Sequence, residues 1–334
     1  MAFRRLGLSL LLGLGMALGS HQAIAQQDPA TVEIKTIPLD DGIYMLTGDG
    51  GNIGLSVGDD GVFMIDDQFA ALSDKIKAAI AELTAQPVKF LLNTHWHFDH
   101  VGGNENFAQD GAVVLSHDNV RKRMEAGQVI DAFQLSIPPA SPAALPMLTF
   151  RDGTTLHMNG QTIGIQHIQL PAHTDGDSIV YFEEANVLHA GDTFFNGLYP
   201  FIDESSGGTL FGVISAVETM LAFTNDNTKI IPGHGPLATR ADLQAYLELL
   251  RDLQGKIDTA LKNKLSLKQF IALKPMAKYD DTWGKALLTP EQFLTIVYGA
   301  ELRASGRSIE GLNLPIEPHS HGEKLSTVQP EHVH

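Results

Sequence analysis

Short apolar and β-branched runs alternate with Gly- and Asp-rich breaks through the first part of the chain. The runs cover residues 32–39, 43–47, 52–57 and 62–65. Asp40-Asp41-Gly42, Gly48-Asp49-Gly50-Gly51 and Gly58-Asp59-Asp60-Gly61 divide them. Asp-Gly pairs between strand-like runs are hairpin signals, so this region predicts an antiparallel meander. The period then changes. Leu72, Ile76, Ala79, Ile80 and Leu83 fall at helical spacing, with Ser73-Asp74 at the start, and predict a helix over 72–83. Pro87 stops it, and residues 88–92 read as a buried strand. A helix at 104–108, a strand at 113–116 and a helix at 119–125 follow. Residues 137–146 hold four prolines (Pro138, Pro139, Pro142, Pro146) and must form an extended loop, either a wall or lid of a site or a plain connector. A second strand set is expected at 155–158, 161–170, 178–182 and 187–190. The helix at 211–223 carries the stripe Phe211, Ile214, Val217, Leu221. A strand at 228–231 and helices at 241–263, 266–273 and 290–304 complete the pattern. Strands then helices, twice over, predict an α/β chain of two facing sheets with helices outside.

One stretch breaks this alternation. Directly after the strand at 88–92 come Asn93-Thr94-His95-Trp96-His97-Phe98-Asp99-His100, then Gly102-Gly103. Imidazole and carboxylate are the donors that zinc and its borderline neighbours accept. An open catalytic site usually takes three protein ligands, so four within six positions hint at two metals. Three further places match in kind. Pro171-Ala172-His173-Thr174, Ala190-Gly191-Asp192-Thr193 and Pro232-Gly233-His234-Gly235 each set one His or Asp past a strand, beside Gly or Pro. Strand ends opening on one edge can converge on a single pocket.

Composition narrows the partners. The 334-residue chain is 43% hydrophobic, with a formal net charge of −16 and no cysteine. That size permits one large domain or two medium ones. The acidic balance disfavours nucleic acid and anionic membranes. Without cysteine there is no disulfide, thiol nucleophile or thiolate ligand. Residues 1–25 read as a cleavable signal peptide: Arg4-Arg5, an apolar run over 6–18, and Ala23-Ile24-Ala25 at the cut. The expectation is export, periplasmic or secreted, with no stable membrane association after cleavage. The expected layout is this signal, a domain over 26–315 with C-terminal helices, and a flexible tail over 316–334. The tail carries His319, His321, His332 and His334; it reads as solvated or as a weak metal-collecting arm.

His95-x-His97-x-Asp99-His100 with His173, Asp192 and His234 resembles the metallo-β-lactamase superfamily. The resemblance implies a four-layer αββα sandwich of two half-domains with a dinuclear metal site between the sheet edges. It implies that His95, His97 and His173 hold one metal, that Asp99, His100 and His234 hold the other, and that Asp192 bridges them. It also implies an aspartate after an early strand bracing the metal loops; Asp66 or Asp67 stands there, and Asp66 is the better match. Two divalent metals, zinc by default with iron or manganese admissible, would activate a water as hydroxide and polarise the group under attack. The expected reaction is hydrolysis of an ester, lactone, thioester or cyclic amide, with Asp99 handling the proton.

The departures sharpen this. The best-known zinc β-lactamases carry cysteine or serine where this chain has Asp192, and a lysine soon after; residues 193–227 contain no Lys or Arg. β-Lactam hydrolysis is thus at most a side activity. The basic glutathione-binding pattern of glyoxalase II is not visible either. Asn196 and Tyr199, just beyond Asp192, are candidates for touching the small-molecule substrate or for packing; Trp96 and Phe98 either line the mouth or pack under the loop. Two other classes stay open: a mononuclear iron sulfur-oxidising enzyme, and a non-catalytic periplasmic metal-binding accessory.

Overall fold

A computed structural model of the protein describes residues 28–307. The expected signal peptide and the tail histidines lie outside the described residues. The meander forms as β1 (Lys35–Pro38), β2 (Ile43–Thr47), β3 (Ile53–Gly58) and β4 (Gly61–Ile65), each antiparallel to the last. Then come α1 (Ser73–Leu83), β5 (Val88–Asn93), the single turn α2 (Phe98–Val101), α3 (Asn104–Gln109), β6 (Val113–His117) and α4 (Asp118–Ala126). A hairpin of β7 (Gln128–Ile130) and β8 (Leu135–Ile137) leads through the proline-rich stretch to β9 (Leu148–Phe150). β4, β5, β6 and β9 run parallel and complete a seven-stranded sheet.

The second half gives β10 (Gly153–Met158), β11 (Gln161–His167), β12 (Ser178–Phe182), β13 (Val187–His189), α5 (Leu210–Phe223), β14 (Lys229–Ile231) and β15 (Ala238–Thr239), a six-stranded sheet. The helices α6 (Arg240–Lys262), α7 (Leu267–Ala272), α8 (Asp280–Trp283) and α9 (Pro290–Ala304) follow. Thr239 and Thr289 close capping boxes on α6 and α9, satisfying N–H groups a helix start leaves open.

Strand periodicity sorts the residues into layers. On β4, Phe63 and Ile65 face the other sheet, where they meet Phe182, Ile163 and Val180. Val62 and Met64 face Leu72, Ile76 and Ile80 of the α1 side. The outer face of the second sheet, with Leu188 and Ile230, packs on α5, α6 and α9. Burial of both faces makes the central strands apolar throughout, and helix–sheet–sheet–helix layering results. No helix among the described residues is long and apolar enough to cross a membrane.

Three expectations change. The strand at 161–170 stops at His167: Ile168 N–H still reaches Asp177 O in the β11–β12 register, but residues 168–177 then form a loop, closed where the Asp177 carboxylate accepts from His173 N and Thr174 N. Phe211 lies outside the packed stripe of α5 and is exposed, while Leu210, Val213 and Met220 join the buried face. The β7–β8 hairpin has no counterpart in the sequence reading: its strands are three residues long, too short to show a period, and Val129 is half exposed.

Candidate metal centre

β5 delivers its chain end into an irregular stretch, and α2 begins one residue after His97, whose own backbone is extended. This switch from extended chain to helix aims His95, His97, Asp99 and His100 at one point from different heights. Asp66, at the end of β4, fixes the stretch. Its backbone is left-handed, φ +60°, a conformation that Asp tolerates better than most residues. Its carboxylate accepts from Thr94 N and Thr94 Oγ1, both at 2.7 Å, and lies 2.8 Å from His100 Nδ1. Asp67 accepts from Gly103 N at 2.7 Å and so ties the far end of the same loop. Asp66 is therefore the aspartate that touches a candidate ligand, His100; Asp67 braces the backbone.

Two carboxylates outside the expected set do comparable work. Asp177 accepts from His173 N (2.7 Å), Thr174 N (2.9 Å) and Thr174 Oγ1 (2.6 Å), closing the loop that presents His173. Asp203 lies 2.9 Å from His97 Nε2, and both Ser205 and Ser206 donate hydroxyls to it.

These outer contacts decide the tautomers. His97 Nε2–H donates to Asp203, His173 Nδ1–H to Phe201 O at 2.8 Å, and His100 Nδ1–H to Asp66. Thr94 gives its hydroxyl hydrogen to Asp66, so His95 Nδ1–H donates to Thr94 Oγ1 at 3.1 Å. A neutral imidazole has one N–H and one lone pair. The lone pairs of His95 Nε2, His97 Nδ1 and His173 Nε2 therefore point inward. His100 turns its Nε2 the same way; although burial opposes a proton there, Asp192, Asp99 and Asp66 raise the group well above the usual histidine range, so a metal would have to displace that proton. His97 Nδ1 and His173 Nε2 stand 2.8 Å apart, two acceptors with no hydrogen between them. His95 Nε2 and Asp192 Oδ1 are buried without a hydrogen-bond partner; the Oδ1 contact to His100 Nε2 at 3.2 Å lacks hydrogen-bond geometry. Converging lone pairs and unsatisfied buried acceptors are what a cation resolves. The donor set fits divalent metal ions.

The donors divide into two groups, His95, His97, His173 and Asp192, and Asp99, His100 and His234. Asp192 sits between them. Its Oδ2 is 3.4 Å from His173 Nε2 and 3.4 Å from His234 Nε2, while Oδ1 faces His100. Glycine makes the fit possible at two places: a Cβ on Gly233 would overlap Asp192 Oδ1, and one on Gly51 would overlap the His100 ring. Burial holds His95 well below the usual histidine range and His173 at about 4, so both stay neutral and ready to bind metal. Burial opposes a proton on His234 as well, but Asp192 and Asp99 outweigh it and raise that group to about 9. Burial likewise opposes ionisation of Asp99, yet His100 and His234 pull it down to about 2.

Over His97, Asp99, Asp192 and His234 lies a cavity of about 80 Å³ whose other walls are Phe69, Phe98, Ile130, Phe133, Phe195, Phe201 and Leu287. Phe98 thus lines the mouth, whereas Trp96 is buried and donates Nε1–H to Ser206 Oγ. Neither Asn196 nor Tyr199 is among the residues lining this cavity, and of the two roles the sequence left open for them the contacts are those of packing. Gly197, at φ +74°, turns the chain away. Tyr199 stacks on Phe293 at 4.4 Å and donates its hydroxyl to Asp280 Oδ1 at 2.8 Å. Asn196 donates N–H to His234 O and Nδ2–H to Pro236 O, bracing the loop that carries His234.

An αββα sandwich with a buried His/Asp centre between its sheet edges defines a metal-dependent hydrolase. The profile of the metallo-beta-lactamase superfamily matches residues 46–253, and the chain belongs to that family. Its relatives include the hydroxyacylglutathione hydrolase GloC of Haemophilus influenzae, 32% identical over 153 residues, spanning 46% of this chain and 71% of the relative. A metallo-beta-lactamase from Pontibacter korlensis shares the fold with a TM-score of 0.56 at 18% identity, over 66% of this chain and all of that one. The sec-alkylsulfatase Pisa1 from Pseudomonas does so with a TM-score of 0.63 at 16% identity, over 83% of this chain and 51% of its own.

Proposed function

We propose that the protein is an exported dinuclear hydrolase that cleaves an ester, lactone or thioester with an apolar acyl arm and no anionic group. The observation that carries this is the pairing of seven inward-facing donors with a cavity walled by phenylalanines and without Lys or Arg. In this reading His95, His97 and His173 would hold one metal and Asp99, His100 and His234 the other, with Asp192 placed to serve both. Zinc is the first choice, and a bridging carboxylate in place of a thiolate admits iron or manganese. Bound divalent ions there would acidify a water and polarise the carbonyl oxygen. Water adds to the carbonyl carbon, the C–O or C–S bond breaks, and the leaving alcohol or thiol takes the proton. Asp99 stands at the cavity floor to pass that proton. The phenylalanine walls exclude bulk water and seat the acyl arm. No cation on those walls answers a substrate carboxylate, which disfavours β-lactams and glutathione thioesters. Export rests on the apolar run and Ala23-Ile24-Ala25 near the N-terminus.

The test is metal content by elemental analysis alongside a panel of short-chain esters, lactones, thioesters and β-lactams, with Asp99→Ala as control. Two metals per chain and ester, lactone or thioester turnover abolished by chelation are expected. One metal at most under metal excess would exclude the dinuclear reading; a fully loaded protein inert to the whole panel would exclude the hydrolase.

A further inference from the structure

The β7–β8 hairpin pairs with neither large sheet, and its turn presents neighbouring residues to two different spaces. Ile130 and Phe133 face the small cavity over the metal centre. Asp131, Ala132 and Gln134 line a second cavity of about 540 Å³. The segment after Tyr199 does the same from the opposite side. Phe201 faces the metal cavity, while Asp203, Glu204 and Ser205 face the larger one. The two spaces therefore share a partition one chain thick. It is closed by the Phe133–Phe201 ring contact at 4.7 Å and by Asp131 N–H donating to Ser205 Oγ at 3.3 Å. Thr295, Ile296 and Arg303 of α9 form the far wall.

The two sides differ in chemistry and size. The metal side is apolar and has room for a short carbon chain only. The other side is in the volume range of small-molecule sites and offers carboxylates, a hydroxyl and an amide. Its guanidinium, Arg303, is already paired with Glu204, so an anion finds no free partner there, while a neutral donor or a cation does. The partition is also weakly built. A three-residue ribbon outside any larger sheet has little stability of its own, and one hydrogen bond at 3.3 Å is long for a latch.

We propose that the larger cavity is the head-group subsite of the same active centre. The substrate is then an ester or thioester with a short apolar acyl arm on the metal side and a polar, neutral or cationic leaving group. That group lies against Asp131, Gln134 and Ser205, admitted when the hairpin turn moves aside. This rests on the hydrolase reading above and names the leaving half of its substrate.

Butyrate esters that differ only in the alcohol test it on the metal-loaded full chain: ethyl, choline, and a carboxylate-bearing alcohol. The choline ester should show a lower KM than the ethyl ester, and the anionic ester the highest. Ala132→Trp, which fills the larger cavity, should raise the ratio of choline-ester to ethyl-ester KM about tenfold, equivalent to about 1.4 kcal/mol. Asp131→Asn should move the same ratio in the same direction, guarding against a misfolded tryptophan variant. Choline alone should bind the wild type in calorimetry and not Ala132→Trp. Ester turnover with a ratio untouched by both variants, or the anionic ester bound best, overturns the subsite and leaves the hydrolase standing. Choline binding without turnover of any ester overturns the hydrolase and leaves a binding cavity.

Discussion

His97 gives its Nε2 hydrogen to Asp203 across 2.9 Å, although the two are 106 residues apart. The Asp203 carboxyl is itself buried. Burial resists its ionisation, but His97, Ser205 and Ser206 hold it down at about 2, so it stays an acceptor at any working pH. The pairing turns the Nδ1 lone pair of His97 toward His95 and His173. Asp203→Ala should lower metal affinity about 10- to 100-fold, the usual effect of losing an outer partner, and Asp203→Asn less, because its carbonyl can still accept. Competition with a chromophoric chelator measures both; wild-type affinity in the alanine variant would show that His97 needs no such partner.

Gly233→Ala should retain less metal and lose some stability. A Cβ there overlaps Asp192 Oδ1 and meets the backbone at Gly191 C and Asp192 N, at 2.6 and 2.7 Å, so both the carboxylate and the turn that carries it must shift. Elemental analysis after dialysis gives the count. The wild type should also gain thermal stability with added metal, by about 2.7 kcal/mol when free metal reaches a hundred times its Kd, and the variant should gain less.

The seven inward donors are readable in the sequence because each follows a strand and sits beside Gly, Pro or another donor, where chain must turn and side chains face the sheet edge. Asp203 is not. It opens Asp203-Glu204-Ser205-Ser206, which reads as a solvated polar loop, and only the packed fold shows its carboxylate buried against His97. Asp177 is hidden in the same way behind Thr174 and Gly176. Layering was legible from the order of strands and helices and from the unbroken apolar run Val62-Phe63-Met64-Ile65, whose two faces are both buried; which face meets which layer was not. Substrate walls were not: Ile130 and Phe133 come from a hairpin too short to have a pattern, and Leu287 from beyond the second sheet.

Tyr199→Phe should lower stability and leave KM unchanged. The hydroxyl donates to the Asp280 carboxylate inside the C-terminal helices, a charged-acceptor bond worth about 1.5–3 kcal/mol. Denaturant unfolding reads the loss, and ester kinetics read KM. A raised KM with unchanged stability would favour substrate contact, the other role the sequence left open for it.

A core change calibrates the fold. Phe63 and Phe182 meet edge to face across the two sheets, with centroids 6.2 Å apart, and both are fully buried. Phe182→Ala should cost about 3–5 kcal/mol, far more than Tyr199→Phe, and chemical denaturation should rank the two in that order.

Acid sensitivity should come in part from the pair His117 and His167, which lie at the ends of β6 and β11 and join the two sheets. Their rings stack 3.6 Å apart with planes 5° from parallel. His117 Nδ1 accepts from Asn119 N–H, and His167 Nδ1 donates to Asp177 O. Burial, and the neighbouring His167, bring His117 down to about 4; the Asp118 and Asp175 carboxylates only partly oppose this, and burial lowers His167 too. The folded state thus binds fewer protons than the unfolded chain between the ordinary histidine value of 6.5 and about 4. Stability from this group is fully present above 6.5, falls as pH drops through that window, and levels off below about 4. His117→Asn keeps an acceptor for the start of α4 and removes the titration. Between pH 7 and pH 5 the wild type should lose on the order of 1 kcal/mol more than this variant, read from urea unfolding at each pH. Equal losses would show that the pair is solvated enough to titrate as free histidine.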